Sequence, residues 1–442
     1  MKRKFWKTLE EWDSSTQKKP LIVIGARQIG KTYIIEEYCK KKYPNYCYIN
    51  LFRDDRLIEI YDKFTNFDQR LEFLQQRYNI NLRDKDTILF VDEVQECEAF
   101  IESLKLFNED GINNIVCAGS LLGVKLKRLK KSFPVGKVHQ EIMYPMDFEE
   151  FLIATGNERY IDNIKESFIN NRECLFHKEL LDLFNRYLYL GGMPEVIQNY
   201  IDNSQNLSMI DNTIINDIIL GYMEDISKHN KEKQEVNRIN AIYNNIPPQL
   251  LKENPKFMYS KFDKKERKGD YINALDWLTA SRLVLKCNVI NKPEYPIKLF
   301  SDDENYKLFL SDIGILRSLM DITVSDMFFQ DNYQYKGIIA ENYVATELQN
   351  MFGNVYYWSK KGNENNSKAE VDFVIQIKQN VIPIEVKAGD NIKSKSLDIY
   401  NKEYNPKLMI RISTENFGIK GNLKSIPSYA TFLIKDLLNN EL

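Results

Sequence analysis

The sequence predicts an α/β protein with two strand-containing segments and a helical region between them. From Leu21 to about Pro145, short apolar strands alternate with helical patterns, which is typical of a mainly parallel sheet. From Asp147 to about Lys228, apolar residues recur at helical spacing, and strand patterns return beyond Gly337. The strands expected in the first segment are Leu21–Gly25, Asn45–Phe52, Thr87–Asp92, Asn114–Ser120 and His139–Tyr144.

The later segments have patterns of their own. Between Val236 and Leu316, two helical stretches precede a pair of strands, an order that suits a winged-helix-like connector. A helix followed by strands then indicates a second α/β domain. The strands expected in these segments are Leu283–Ile290, Tyr306–Leu310, Val355–Trp358, Val371–Ile377 and Ile382–Lys387. We therefore predict four parts, at residues 1–150, 151–230, 231–325 and 326–442.

Composition limits the classes of function. The 442 residues include 61 Lys and Arg against 63 Asp and Glu, so no strong overall field draws the molecule to nucleic acid, and any such binding must be local. The longest apolar runs are strand-sized, and no apolar segment follows the basic start, so we expect neither a membrane span nor export. The six cysteines form no CxxC pair and are expected to be reduced and mostly buried. These features predict a soluble, cytoplasmic protein.

A glycine-containing motif follows the first predicted strand and precedes a helix. The strand before it and the helix after it are the context that a phosphate-binding loop requires. Its glycines let backbone N–H groups turn toward the phosphates of ATP, Lys31 supplies a charge for the β- and γ-phosphates, and Thr32 a hydroxyl ligand for Mg²⁺. An incidental glycine turn is the alternative. The eight residues that match G-x-x-x-x-G-K-[ST] are Gly25, Ala26, Arg27, Gln28, Ile29, Gly30, Lys31 and Thr32.

The strand Thr87–Asp92 ends in a pair of carboxylates. Asp92 is expected to hold the Mg²⁺ ion, and Glu93 to orient or deprotonate the attacking water. The next strand ends at Ser120, a candidate sensor of the γ-phosphate, although a Gly-Ser turn explains this residue equally well. Together with the phosphate loop, these residues predict ATP hydrolysis.

The order of these motifs resembles that of bacterial and archaeal AAA-type ATPases with a C-terminal DUF4143 domain. The resemblance implies an AAA-like P-loop ATPase domain followed by a helical lid, in which Pro194 packs on the adenine. The residues alone fit equally well a glycine cap followed by a helix that begins with proline. The segments that carry the resemblance are Gly25–Thr32, Phe90–Gln95, Ala118–Ser120, Tyr144–Phe151, Gly191–Pro194, Leu308–Leu316 and the C-terminal strands.

The C-terminal segment contains a second group of charged residues. Glu341 on a helix, Asp372 on a strand and the Glu385-Val386-Lys387 sequence resemble the restriction-endonuclease-like PD-(D/E)xK fold. Glu385 and Lys387 are two residues apart on one predicted strand and therefore face the same side, beside Asp372. The carboxylates can bind Mg²⁺ while Lys387 acts as a catalytic cation. A structural salt bridge in a protein-binding fold is the alternative.

Two basic segments bear on partners. Relatives often have Gly-Arg-Val where this chain has Gly136-Lys137-Val138. The arginine that relatives could supply to the ATP site of a neighbouring subunit in a homo-oligomer is therefore replaced by lysine, and its role stays open. The linker with Lys256, Lys261, Lys264, Lys265, Arg267 and Lys268 could contact DNA phosphates or be a solvated loop.

The sequence as a whole predicts an ATPase whose activity is coupled to DNA binding or cleavage. One alternative is a nucleotide-gated signalling protein in which an inactive nuclease-like domain recruits a protein partner. Another is a small-molecule kinase, which Glu93 and the long C-terminal extension disfavour.

Overall fold

The computed structural model describes residues 1–128, 136–230, 232–252, 256–259, 267–329, 333–360, 369–389 and 395–438. The chain forms two compact units. The first contains Met1–Pro145 with Ala280–Arg282, and the second contains Met146–Thr279 with Leu283–Leu442. Lys130 and Lys131, two of the basic residues that precede Gly136 in the sequence, and Lys261, Lys264 and Lys265 of the linker lie outside the described residues.

The first unit is built on a five-stranded parallel sheet, as predicted. Its strand order is β2-β3-β4-β1-β5. Every residue of β1, β3 and β4 is buried, because helices cover both faces of a parallel sheet and leave its central strands no polar side. The strands are β1 (Leu21–Ile24), β2 (Asn45–Asn50), β3 (Thr87–Asp92), β4 (Ile115–Gly119) and β5 (His139–Ile142).

Six helices accompany this sheet in the described part of the unit. They are α1 (Phe5–Asp13), α2 (Lys31–Lys42), α3 (Asp55–Lys63), α4 (Phe67–Tyr78), α5 (Glu98–Glu109) and α6 (Leu122–Arg128). Leu57, Leu74 and Phe100 join α3, α4 and α5 to Leu89 of β3 in one apolar cluster. This packing fixes β3, and with it the carboxylates that follow, relative to the phosphate loop after β1.

The second unit begins with the helices predicted beyond residue 146. Asp147 caps the first of them by accepting from the Glu150 N–H at 2.8 Å, and the Glu150 carboxylate completes a capping box. The helices are α7 (Phe148–Ala154), α8 (Arg159–Asn170), α9 (His177–Leu190), α10 (Pro194–Asp202), α11 (Asn212–His229), α12 (Lys233–Leu250), α13 (Ile272–Ala280), α14 (Ile313–Leu319), α15 (Val324–Phe329), α16 (Tyr333–Phe352) and α17 (Lys395–Tyr404).

An eight-stranded mixed sheet forms the rest of this unit. Its order is β12-β13-β11-β10-β9-β8-β6-β7, and Trp358, Val371, Tyr400 and Met409 lie in an apolar cluster between the sheet and α17. The strands are β6 (Val284–Ile290), β7 (Ser301–Leu310), β8 (Val355–Lys360), β9 (Ala369–Ile377), β10 (Asn380–Val386), β11 (Met409–Ser413), β12 (Gly418–Lys420) and β13 (Leu423–Pro427).

The β6–β7 hairpin corrects one expectation. The sequence predicts that it belongs to a winged-helix-like connector, but Cys287–Ile290 of β6 pair in parallel with Val355–Trp358 of β8. The hairpin is therefore the edge of the C-terminal sheet, and the boundary predicted between residues 325 and 326 divides this sheet. The rest of the four-part division stays a prediction.

Two general expectations can be compared with the fold. In the described part of the chain, no helix has the length and apolar character needed to cross a membrane. All six cysteines are buried free thiols, and burial raises the pKa of Cys47 to about 11.

Candidate functional site

The phosphate loop connects β1 to α2 through an unusually tight backbone path. A Cβ on Gly25 would lie 2.4 Å from the Met143 carbonyl oxygen, so only glycine fits there. Gln28 and Gly30 have φ angles of 65° and 89°, and Gly30 is the N-cap of α2. Left-handed residues next to a helix start turn backbone N–H groups inward, as phosphate binding requires.

The polar side chains of the loop contact one another and β3. Lys31, which is 7% exposed, donates to the carbonyl oxygens of Gly25 at 2.9 Å and Ala26 at 2.7 Å. Thr32 Oγ1 donates to Asp92 Oδ2 at 2.8 Å, and Tyr48 donates to the same oxygen at 3.2 Å. Burial raises the pKa of Asp92, although the Thr32 hydrogen bond opposes the shift. Thr32 and Asp92 thus form a hydroxyl–carboxylate pair that can hold Mg²⁺.

The carboxylate of Glu93 is held by residues that follow β3 and β4. Glu93 has a φ of 52°, and its Oε2 accepts from Gln95 Nε2 at 2.5 Å. The backbone N–H and hydroxyl of Ser120 each lie 3.5 Å from this oxygen. A Cβ on Gly119 would meet Gln95 Oε1 at 1.9 Å, so the glycine makes room for the amide. Sequence reasoning gave no role to Gln95, although it ends the Phe90–Gln95 motif.

A cavity of 710 Å³ lies in the same unit beside α2. Arg3, Trp6, Tyr33, Ile34 and Glu37 are among the residues that line it. Arg3 donates to the Ile29 carbonyl of the phosphate loop at 2.7 Å, which ties the N-terminal segment to the loop. Tyr33 and Ile34 directly follow Thr32 in the chain, whereas no residue of the phosphate loop itself is among those that line the cavity.

The Gly191–Pro194 motif lies in the second unit, where packing accounts for its glycines. The Gly192 N–H donates to Asp312 Oδ2 at 2.6 Å, and a Cβ on Gly191 would lie 2.6 Å from the Gly314 nitrogen. Pro194 is the first residue of α10. This is the helix-cap arrangement that the residues alone permit, and the contact of Pro194 with adenine stays a prediction.

Three of the four C-terminal candidates meet where Asp372 of β9 lies beside the end of β10. Lys387 Nζ lies 2.7 Å from Glu385 Oε1, in agreement with the same-face placement. Asp372 Oδ2 accepts from the Val386 N–H at 2.8 Å. Burial raises the pKa of Asp372 well above its usual value, and the charges of Glu385 and Glu341 raise it further. Together with Lys307, Glu341 and Glu370, these three side chains form the C-terminal cluster.

The fourth candidate, Glu341 on α16, has a partner that the sequence analysis missed. Lys307 Nζ on β7 lies 2.9 Å from Glu341 Oε1 and 2.8 Å from Glu370 Oε1. Burial lowers the pKa of Lys307, but these two carboxylates reverse the effect and raise it well above the usual value. A single lysine in an apolar strand gave no pattern by which it could be found. Among the described residues, no three acidic, histidine or cysteine side chains are arranged to hold a metal ion.

Comparisons with known protein families agree with the order of the two units. The family model of an AAA domain matches residues 17–152, and that of DUF4143, a domain of unknown function, matches residues 336–430. The chain combines an AAA domain with a DUF4143 domain. A further domain of unknown function, DUF8612, matches residues 181–326. The phosphate loop, Asp92, Glu93 and Ser120 all lie within the AAA domain, and the C-terminal cluster, except Lys307, lies within DUF4143.

The relatives found by sequence are archaeal and uncharacterized. Protein MJ1544 of Methanocaldococcus jannaschii is 24% identical over 393 residues, which cover 86% of this chain and 78% of that protein. Protein MJ1637 of the same organism is 24% identical over 206 residues, which cover 43% of this chain and 41% of that protein.

Solved structures give more distant similarities. The ORC2 protein of Aeropyrum pernix, solved in ADPNP–ADP complexes, is 12% identical, with a TM-score of 0.33 and coverage of 72% of this chain and 93% of that one. A signal transduction ATPase with a tetratricopeptide repeat sensor from Pyrococcus horikoshii is also 12% identical, with a TM-score of 0.27 and coverage of 79% and 45%.

Proposed function

We propose that the AAA domain binds Mg-ATP and hydrolyses it to ADP and phosphate. The observation that carries this proposal is the 2.8 Å contact between Thr32 and Asp92, with the held carboxylate of Glu93 next in the chain. The contact brings together two segments that are 60 residues apart, in the arrangement that a phosphate loop and a metal-binding strand end need. An incidental glycine turn would not require this pairing.

Each residue of the site has a separate role in ATP binding and hydrolysis. Backbone N–H groups of the phosphate loop bind the phosphates, and Lys31 exchanges its two carbonyl contacts for phosphate oxygens. Thr32 and Asp92 hold Mg²⁺, which neutralises charge that develops on the phosphates. Glu93 accepts a proton from the attacking water, whose oxygen forms a bond to the γ-phosphorus as the bond to the ADP oxygen breaks. Ser120 senses the γ-phosphate through its position beside Glu93.

The 710 Å³ cavity is proposed to take the base and ribose. Tyr33 and Ile34, which directly follow the phosphate loop, provide one wall of the cavity. Arg3 ties the N-terminal segment, which forms another wall, to the loop at Ile29. Trp6, Tyr33 and Ile34 supply apolar surface for a planar base, and most of the other lining residues are charged and could contact the polar groups of the nucleotide.

Glu93→Gln tests the proposal directly. The variant is expected to bind Mg-ATP like the parent but to hydrolyse it 10²- to 10⁴-fold more slowly, roughly the contribution of a general base. Phosphate release and ATP affinity are measured on the same preparations, with Glu96→Gln as a matched neighbouring control. Hydrolysis by Glu93→Gln at the parent rate would assign the base elsewhere.

A second candidate function is metal-dependent cleavage of DNA by the C-terminal cluster. The observation that favours it is the convergence of Asp372, Glu385 and Lys387 on neighbouring strands. Asp372 and Glu385 would hold one Mg²⁺, which activates water, and Lys387 would stabilise charge on the phosphodiester. Glu341 was assigned to the same metal, but its contact with Lys307 does not favour that role. The alternative is a charged cluster without activity, in a domain that recruits a protein partner or a second copy of the chain.

Cleavage assays and thermal melts of the same variants separate these possibilities. If the cluster is a nuclease site, Mg²⁺ or Mn²⁺ supports DNA cleavage by the parent, and Asp372→Asn or Lys387→Met abolishes it while ATP hydrolysis persists. If it is a structural cluster, the parent does not cleave, and Lys387→Met lowers the melting temperature because Glu385 remains buried without its cation. The ATPase rate with and without DNA then tests coupling.

A further inference from the structure

Lys307 is a buried cation that neither proposed reaction uses. Its side chain is 1% exposed, whereas those of Glu341 and Glu370 are 20% and 21% exposed. The ammonium also lies 5.0 Å from the centre of the Tyr357 ring. The cation is thus at the inner side of the cluster, and its two carboxylates lie between it and solvent.

Lys307 does what a bridging metal ion would do in this place. Glu341 belongs to α16 and Glu370 to β9, so the ammonium links carboxylates from two different elements. Its contacts of 2.9 Å and 2.8 Å are ordinary for a charge-assisted hydrogen bond. A carboxylate held in this way has less charge to offer to a divalent ion.

The other two carboxylates of the cluster are less fully satisfied. Glu385 is 4% exposed, and Lys387 contacts its Oε1, but within the described residues its Oε2 is buried with no hydrogen-bond partner. The antiparallel pairing of β9 with β10 runs as far as Phe373 and Ile384, and Asp372 and Glu385 are the next residue on each strand, so they lie side by side. A bound cation would give Oε2 of Glu385 the partner that it lacks among the described residues.

We propose that Lys307 is a built-in cation that holds Glu341 and Glu370, so that the cluster takes a single divalent cation, between Asp372 and Glu385. The inference rests on the proposed metal site of the C-terminal domain. It adds that the site holds one ion and that Glu341 is not a ligand of it. The number of ions is set by a lysine of the β6–β7 hairpin, which lies outside the DUF4143 match.

Mn²⁺ titration of the full chain without nucleotide tests the proposal, with free Mn²⁺ followed by electron paramagnetic resonance. All variants carry Asp92→Asn, which removes the carboxylate predicted to hold a cation in the AAA domain. We expect one bound Mn²⁺, whose affinity falls at least tenfold in Glu385→Gln and changes less than twofold in Glu341→Gln. Lys307→Met is expected to bind a second Mn²⁺, and adding Glu341→Gln to it should remove that ion.

Several outcomes would overturn the proposal. One such outcome is that the chain with Lys307 intact binds two Mn²⁺ ions. Another is that Glu341→Gln and Glu385→Gln lose affinity equally. Either would refute the role of Lys307 but leave cleavage chemistry possible. A folded Lys307→Met variant that still binds one ion would also refute it. Absence of any bound Mn²⁺ would refute both this inference and metal-dependent cleavage. If Lys307→Met does not fold, the comparison of Glu341→Gln with Glu385→Gln decides the question.

Discussion

The lysines of the two sites differ in what they contact. Lys31 in the phosphate loop donates to main-chain carbonyl oxygens, whereas Lys307 and Lys387 in the C-terminal unit pair with carboxylates. Exchanging a neutral carbonyl for a phosphate strengthens the interaction of Lys31 with its acceptor. A ligand of the second cluster must instead compete with ion pairs already made. The first site therefore suits an anion such as a phosphate. In the second site, the positive and negative side chains largely neutralise one another within the protein.

The largest expected effect is that of removing Lys307 on the free energy of unfolding. Lys307→Met should lower the free energy of unfolding by about 3–5 kcal/mol, because two carboxylates lose their buried cation. Lys286→Met on the neighbouring strand is the control, since Lys286 is 27% exposed and pairs with the 83% exposed Asp303. Chemical denaturation measures both, and equal small losses would mean that the cluster does not depend on Lys307.

Lys31→Ala should weaken ATP binding by roughly 100-fold or more while the melting temperature stays close to that of the parent. The lysine supplies charge-assisted bonds to the phosphates, and its contacts with Gly25 and Ala26 are with main-chain carbonyl oxygens of its own loop. Calorimetric titration with Mg-ATP measures the affinity, and Lys40→Ala at the exposed end of α2 is the matched control. Normal affinity in a folded Lys31→Ala protein would contradict the site.

Gln95→Ala should reduce kcat for ATP hydrolysis about tenfold and leave KM unchanged, because the amide positions Glu93 and does not touch the nucleotide. Gln76→Ala, on the exposed face of α4, controls for loss of an amide elsewhere. Steady-state kinetics over a range of pH separates the two parameters. A rise in KM with unchanged kcat would place Gln95 in nucleotide binding instead.

Asp372→Asn is expected to have the smallest effect, a gain in stability of roughly 1 kcal/mol near pH 7. The pKa of Asp372 is higher in the folded chain than the ordinary 3.8, so its charge opposes folding as the pH rises above that value. The gain should therefore shrink as the pH falls and vanish well below pH 3.8, where the carboxyl is protonated in both states. Melts of Asp372→Asn and the exposed control Asp398→Asn across this range measure it, and a pH-independent difference would contradict the assignment.

The first site could be predicted because its chemistry is local in the sequence. The eight residues from Gly25 to Thr32 are contiguous, and Asp92 and Glu93 end an apolar run whose length and burial identify it as a strand. Gln95 was within a quoted motif, but its role depends on the space beside Gly119, which no spacing indicates. The distant contact of Thr32 with Asp92 followed from the parallel sheet.

The second site was only partly predictable. The spacing of Glu385 and Lys387 placed both on one face, whereas the partner of Glu341 came from β7, 34 residues earlier. The residues of β6 and β7 have the pattern of a hairpin, but periodicity does not say which sheet a hairpin joins. The short strands β11–β13 were not predicted at all. Pairing between strands far apart in the chain is the information that a single sequence lacks.

The place of the β6–β7 hairpin matters for where the C-terminal domain begins. The DUF4143 match starts at residue 336, so its bounds omit two of the eight strands in the sheet and the lysine that joins Glu341 to Glu370. A fragment cut at that point would leave the edge of β8 without its hydrogen-bonding neighbour. Open edges of this kind invite pairing with other chains. The folding unit therefore starts earlier than the DUF4143 match, and expression of the C-terminal domain by itself should begin before Val284.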